Sequence, residues 1–371
     1  LSSEDTNAPS TVQGNAYILA NGALETIAPF PGWTLPGIFT LGGLNSLIRN
    51  NVIPGKRIAI AGSGPLLFAL IDNLLARNCH ISALVQPVPL QKTFTNIGSL
   101  VAGFDNEKAG ILYRCVKGVI ARKIKRFQSH IVSGAIRHND QLSVQIAPID
   151  SQWKQKKDKE INIEIDILAV SYGLRPSIDL AHLLGCKIYY DTDLGYWRTL
   201  HDPMLETSQP NVFVAGDNTQ ICGYAAAEQQ GRLAAISASI AIGLSSFHSM
   251  RAEIHDLQRK VEKLKRFGRA LDLLSQPGTH FWEAIADECI MCMCESVTLA
   301  DIKQAGAEGV RDINDLKRRT RTGMGYCQGR YCGQMLNEIL WHHTGFEGKR
   351  ELFSARLPLK PVSFATIADH T

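Results

Sequence analysis

The stretch GKRIAIAGSGPLLFALIDNLLARNCHISALVQ, residues 55–86, constrains the fold more than any other part of the chain. It reads as a buried strand of β-branched and small residues, a glycine turn, an amphipathic helix and a second strand. That is one βαβ unit, and it calls for an α/β protein with a parallel sheet. INIEIDILAVSYGLRPS (161–177) alternates and then turns continuously apolar, as an edge strand running into a central one does. NVFVAGD (211–217) is a further buried strand ending in glycine and an acid, followed by a helical pattern from about Ala225 to Ile242. YILANGA (17–23) is another buried strand with a glycine turn, leading into the rigid crossover PFPGWTLPG (29–37).

Between these parts the pattern is weaker. A basic, weakly patterned strand region follows Gln86 and ends in SQWKQKKDKE (151–160), read as a solvated turn. From 251 to 273, Ile254, Leu257, Val261, Leu264, Phe267 and Leu271 recur at threes and fours with Lys and Arg between them. This predicts a surface helix with one buried stripe, connecting an α/β body to a cysteine-rich module. The tail RLPLKPVSFA (356–365), with Pro358 and Pro361, is expected to run extended.

Composition narrows the function. The 371 residues are 45% hydrophobic and 20% charged, enough for two or three cores. A net charge of +4 from 39 basic and 35 acidic residues, with no polybasic arm, makes nucleic acid a poor first guess as partner, and none is expected. No run of roughly eighteen apolar residues occurs, so no transmembrane segment is expected. No basic segment followed by an apolar core marks a signal peptide near Leu1. Nine cysteines without secretion signals argue against a disulfide framework and for a reducing, cytoplasmic setting, with any membrane association made through partners.

Cys79, Cys115, Cys186 and Cys222 are each solitary and read as small buried hydrophobes. The other five crowd the last third. Cys292-Met293-Cys294 is followed, after 32 residues, by Cys327-Gln328-Gly329-Arg330-Tyr331-Cys332, and Gly323, Gly325 and Gly329 let the backbone bend closely there. Four thiolates in two close pairs fit an iron–sulfur cluster or a closed zinc site. The CxC spacing departs from a zinc knuckle and no histidine lies within either pair, which favours the cluster. Arg311, Lys317, Arg318, Arg319, Arg321 and Arg330 crowd the intervening segment. Cations beside an anionic cluster raise its reduction potential, although solvated helix charges explain some of them.

Two glycine turns are candidate nucleotide sites. In Gly62-Ser63-Gly64-Pro65, the first glycine permits the tight turn and the second lets a pyrophosphate approach a helix N-terminus. The third glycine of the dinucleotide fingerprint is replaced by Leu67 and the acid after the second strand by Gln86. The turn therefore suits a nucleotide pocket or a purely structural bend. Gly216-Asp217 places an acid at a strand end, suited to a ribityl or ribose hydroxyl and equally to capping the following helix.

The residues Cys292 to Thr298, together with Leu316 to Cys332, resemble the bacterioferritin-associated-ferredoxin-like (BFD-like) [2Fe-2S] domain. With PFPGWTLPG, AGSGPLL, YGLRPS, NVFVAGD and RLPLKPV, nearly the whole chain resembles the flavoprotein subunits of opine oxidases, hydrogen cyanide synthases and heteromeric amino-acid dehydrogenases. That resemblance implies a two-dinucleotide-binding-domain, Rossmann-like body. Residues 1–45 and 176–245 would form the remainder of an FAD-binding domain and 46–175 an inserted nucleotide-binding-like domain. Residues 246–280 would be the helical connector, 281–345 the [2Fe-2S] domain and 346–371 an extended tail.

Carried over by position, Cys292, Cys294, Cys327 and Cys332 match the family's cluster ligands, and Cys289 matches none. Gly216 and Asp217 match the pair that contacts FAD, and Gly22 lies in the Ala-Thr-Gly turn, where Asn21 replaces the threonine. Gly62, Ser63, Gly64 and Pro65 match a second turn that takes an adenine nucleotide or NAD(P). The family body opens with a GxGxxG strand for the FAD pyrophosphate, about a hundred residues before the crossover, and this sequence does not contain it.

The implied function is electron transfer within a hetero-oligomer. A partner subunit related to glycine and D-amino-acid oxidases oxidises the carbon bearing the amine, and this subunit's flavin and cluster carry the electrons onward. No side chain here looks like a general base or nucleophile, so no catalytic residue is nominated. An NAD(P)H-dependent ferredoxin-type reductase and an inactive assembly scaffold are the alternatives.

Overall fold

A computed structural model describes residues 13–364 apart from 88–105, 140, 276 and 345–349. The first twelve residues of the expected FAD half, the start of the region after Gln86 and the end of the tail lie outside the described residues.

The βαβ unit forms as its pattern demands. Strand β4 (Arg57–Ser63) is the middle of a five-stranded, all-parallel sheet in the order β3 (Ile38–Phe39), β10 (Ile167–Tyr172), β4, β5 (His80–Gln86), β6 (Lys125–Gln128). Its side chains alternate between two layers. Ile58 and Ile60 join Leu44 and Ile48 of helix α1 (Leu41–Arg49) and Leu67, Leu70 and Leu74 of α2 (Pro65–Ala76). Ala59 and Ala61 face the other way, onto Val132, Val144 and Ile146. Those belong to an antiparallel sheet of β7 (His130–His138), β8 (Gln141–Pro148) and β9 (Ile161–Ile165).

Residues 161–172 therefore do contain an edge strand and a central strand, but in two different sheets. Asp166 makes the corner between them. Its carboxylate accepts from the backbone N–H of Lys56 and Arg57 at 3.0 and 2.9 Å and from the Arg57 guanidinium at 2.7 Å.

The expectation of a strand region after Gln86 fails over 106–121, which is helix α3 (Asn106–Ala121). The helix buries Cys115 and Val119 but exposes Tyr113, Val116 and Ile120, so apolar residues on both faces blur the helical period.

In the second half of the body, β1 (Tyr17–Leu19) pairs in parallel with β14 (Val212–Val214). The buried strand expected at 17–19 buries only Leu19, because the sheet it joins has two strands among the described residues and Tyr17 and Ile18 face outward. β2 (Ala23–Glu25) pairs with β11 (Leu174–Pro176), and β12 (Ile188–Asp191) with β13 (Tyr196–Thr199), both antiparallel. After the short α4 (Asp179–Leu183), α5 (Tyr224–Ala241) fulfils the helical pattern read from Ala225.

Helix α6 (Phe247–Ser275) lies within the range expected for the connector, and its last turns are more deeply buried than a surface helix would be. Ile254, Leu257, Val261 and Phe267 are buried as expected, whereas Leu264 and Leu271 are half-buried. Its last turns bury Gly268, Ala270, Asp272 and Ser275 instead. Gly268 permits the approach: a Cβ there would come within 2.6 Å of the Ile221 carbonyl oxygen.

The C-terminal module follows α7 (Thr279–Glu283). A hairpin of β15 (Ile290–Cys292) and β16 (Val297–Thr298) leads into α8 (Leu299–Ala307), α9 (Ile313–Thr320) and α10 (Gly333–His343). Thr298 and Asp301 form a capping box on α8, and Asp312 caps α9. Met291, Leu299, Ile302, Leu316, Leu336 and Ile339 make its core, which is continuous with Trp153, Tyr172, Phe281 and Trp282. No described helix is long and apolar enough to cross a membrane.

Candidate functional site: two cysteine pairs against a flavoprotein-like body

Strand β15 delivers Cys292 to the module's interior and Cys332 caps α10, so residues forty apart meet with their Sγ atoms 3.9 Å apart. Cys294, in the turn after β15, faces Cys327. Gly325 makes this possible, because a Cβ there would lie 2.2 Å from the Cys294 Cβ. Arg321, in the left-handed region at φ 65°, ends α9 and turns the chain toward the second pair. Cys292, Cys327 and Cys332 are buried, and Cys294 is half-buried.

The electrostatics favour thiolate at Cys292 alone, while burial raises Cys294. Hydrogen bonding from Cys332, reinforced by the backbone N–H groups of Gly323, Glu295 and Cys294, holds Cys292 down at about 6. Cys332 is pushed well above the usual thiol value because it donates to Cys292 and is buried. The Cys332 thiol thus donates to Cys292, which is the better anion of the two. Among the described residues, no group of three or more His, Cys, Asp or Glu side chains converges as a single-ion site would require. Two adjoining pairs, one already supplied with N–H donors to sulfur, suit a two-iron cluster in which each iron takes two protein ligands.

Cys289 stands apart, as expected. It is 1% exposed, and burial pushes its thiol up to about 12. Cys79, Cys115 and Cys186 are buried as expected for small hydrophobes, whereas Cys222 is only partly so, lying in the loop that enters α5.

The cations sort into two groups. Arg311 donates to the carbonyls of Gly306 and Val310, Arg318 and Arg319 pair with Asp315, and Arg321 pairs with Glu295. These are helix-end and surface charges. Lys317 and Arg330 differ from these: Lys317 lies over the Phe353 ring and feels the charge of Cys332, and Arg330, between Cys327 and Cys332 in sequence, pairs with Asp179 of the body at 3.1 Å. The sequence reading missed a third, Arg175. Its guanidinium donates to the Arg330 carbonyl and feels the charges of Cys327 and Cys332. Nothing local marks it, since the contact joins parts of the chain remote in sequence.

The nucleotide turn at 62–65 sits as drawn from sequence, with Gly64 capping α2 and Pro65 as its first residue. Gly62, at φ +136°, is required by packing alone, for a Cβ would lie 1.8 Å from the Ser171 carbonyl oxygen. The turn is covered. Ser63 is buried and donates its hydroxyl to the Ser275 carbonyl at 3.2 Å, and a Cβ on Gly64 would meet Ser275 Oγ at 3.2 Å. The negative end of the α6 dipole thus rests on the positive end of α2.

At the other turn, Asp217 Oδ1 accepts from the N–H of Cys222 and Gly223 at 2.9 and 3.0 Å, so it ties down the loop ahead of α5 rather than capping the helix, whose N-cap, Gly223, has no side-chain cap. Gly216 donates its N–H to Gln230 Oε1 at 2.8 Å. Gly22, at φ +71°, lies beyond the same end of the β1–β14 pair and has open space where a Cβ would point. Buried polar atoms here go unmatched: Asn218 Oδ1 and Gln230 Nε2 have no hydrogen-bond partner among the described residues. Orphans of this kind fit a polar ligand such as the ribityl chain of a flavin.

Residues 290–342 match the BFD-like [2Fe-2S] binding domain. Over 353 residues the chain is 32% identical to the HcnB subunit of hydrogen cyanide synthase from Pseudomonas protegens, covering 94% of this chain and 74% of that one. The chain belongs to the HcnB family. It is also 28% identical over 375 residues to an opine oxidase subunit of Agrobacterium tumefaciens, covering 96% of this chain and 70% of that one. Among solved structures, L-proline dehydrogenase from P. horikoshii superposes with a TM-score of 0.60 at 19% identity, covering 95% of this chain and 58% of that one. That likeness concerns the fold, and it agrees with the Rossmann-like body read from the sequence. An HcnB-family chain is thus an oxidoreductase subunit with a [2Fe-2S] module on a flavoprotein-type body.

Proposed function

We propose that this chain is the electron-transferring subunit of a heteromeric dehydrogenase or oxidase acting on CH–NH or CH–NH2 donors, an amine, amino acid or opine. Cys292, Cys294, Cys327 and Cys332 would hold a [2Fe-2S] cluster, and Gly22, Gly216 and Asp217 would contact FAD. The substrate would be oxidised in a D-amino-acid or glycine oxidase-like partner subunit. The observation that carries this reading is the meeting of the two cysteine pairs in a module whose Cys327–Cys332 loop is joined to the body through Arg175, Arg330 and Asp179.

A bound cluster would supply one-electron chemistry that no side chain here offers. The chain's own contribution is placement and electrostatics. The module's core keeps water from Cys292, Cys327 and Cys332, and the backbone N–H groups at Cys292 stabilise negative charge on sulfur. Orphaned Asn218 and Gln230 atoms would be satisfied by flavin hydroxyls.

The test is the visible spectrum of the anaerobically purified chain, with iron, sulfide, zinc and flavin quantified on the same sample. Iron and sulfide in equal amounts, with a spectrum lost in Cys294→Ser, support the reading. Zinc without sulfide would overturn the cluster, and iron–sulfur without any flavin, alone or with the partner subunit, would overturn the flavin half.

A further inference from the structure

We infer that Arg175, a residue of the body, positions the second cysteine pair and sets the reduction potential of the cluster it holds. This rests on the proposed cluster ligation.

Arg175 is fixed from its own side first. It lies in β11, paired opposite Leu24 of β2, between Gly173 at φ +96° and the buried Pro176. From this rigid strand the guanidinium crosses to the module and donates to the carbonyl of Arg330, a residue of the loop joining Cys327 to Cys332. Arg330 returns the contact, with its guanidinium on Asp179 at the start of α4 and on the Leu359 carbonyl of the tail. The Cys327–Cys332 loop is thus clasped by the body at two points.

The charges in this clasp do not cancel. Arg175 and Arg330 both act with Asp179, and Lys317 adds a further positive charge that feels Cys332. Burial works against the Arg175 charge, yet a guanidinium stays protonated even when desolvated. A fixed positive charge in a medium of low effective dielectric acts strongly on nearby thiolates. Adding an electron makes a thiolate-ligated cluster more negative, so the reduced form gains more than the oxidised form from Arg175 and the potential rises. The surface arginines at 318, 319 and 321 are paired with acids in solvent, where such effects are screened.

The experiment is an anaerobic reductive titration of the cluster-loaded full chain, read by visible absorbance and by the electron paramagnetic resonance of the reduced cluster. Wild type is compared with Arg175→Gln, Arg175→Lys and Asp179→Asn. At the wild-type midpoint, Arg175→Gln is expected to shift the oxidised-to-reduced ratio about tenfold toward oxidised, a one-electron change of about 59 mV. Arg175→Lys keeps the charge and should stay within a few-fold of wild type. Asp179→Asn removes the opposing carboxylate and should shift the ratio toward reduced, a reversal of sign that mere loosening of the loop would not produce. A full cluster with an unmoved midpoint in Arg175→Gln, or the same direction of shift in Arg175→Gln and Asp179→Asn, overturns the role of Arg175. Wild-type chain without iron and sulfide overturns the ligation beneath it. Should Arg175→Gln lose its cluster, Asp179→Asn still decides the sign, and a shift toward oxidised there overturns the proposal.

Discussion

Trp33 donates its indole N–H to the carbonyl oxygen of Ile290 across 2.6 Å. The contact joins the crossover of the body to the strand that delivers Cys292, so the body braces the first cysteine pair just as Arg175 braces the second. Trp33→Phe keeps most of the ring and removes the donor. The carbonyl then keeps a long contact from the Cys289 thiol at 3.9 Å, and losing its strong donor costs about 1 kcal/mol. The expected outcome is a lower denaturant midpoint and faster amide exchange at Met291 and Cys292, with the sheet around β4 unaffected. Uniformly faster exchange would show that Trp33 supports the whole fold rather than this junction.

Gly325 is the tightest point of the second turn. A methyl group there would overlap Cys294, so Gly325→Ala is expected to reduce bound iron severalfold in protein that otherwise folds. Gly309 is the control. It has positive φ, +101°, but open space beyond its Cα, so Gly309→Ala should cost about 1 kcal/mol of stability and leave iron content unchanged. Equal iron in both variants would mean that Cys294 is not a ligand.

The contrast between these glycines shows what the sequence could reveal. Spacing alone marked Cys292, Cys294, Cys327 and Cys332, because CxC and close glycines are local signals. The β4–α2–β5 unit was legible for the same reason: periodicity and a glycine turn are written within thirty-odd residues. Helix α3 was lost because Tyr113, Val116 and Ile120 put apolar residues on its exposed face. Arg175 and Ser275 were invisible because their roles arise from contacts with residues far along the chain, Arg330 and Ser63.

Ser275 makes a prediction about the turn at 62–65. A pyrophosphate approaching α2 must displace the last turn of α6, whose hydroxymethyl group sits against Gly64. Ser275→Gly is expected to bind ADP or NADH severalfold more tightly than wild type by isothermal titration. Identical affinities would place any nucleotide elsewhere.

Asp272 predicts a pH dependence of stability. Its carboxyl is 4% exposed in the last turns of α6 and hydrogen-bonds the Tyr196 hydroxyl at 2.5 Å. Burial raises it from 3.8 to about 7; the Tyr196 hydrogen bond and Arg198 oppose the rise, while Asp217 and Asp191 add to it. Between pH 4 and 7 the folded chain holds a proton at Asp272 that the unfolded chain has released. Stability from this group is therefore fully present below about pH 4 and is lost as pH rises toward 7, a penalty on the order of 4 kcal/mol above that. Asp272→Asn keeps the shape and a hydrogen bond to Tyr196 but does not titrate. In urea denaturation, the variant should gain stability relative to wild type steadily from pH 4.5 to pH 7 and hold that gain at pH 8. A difference that stays flat across this range would show that Asp272 is ionised in the folded chain throughout.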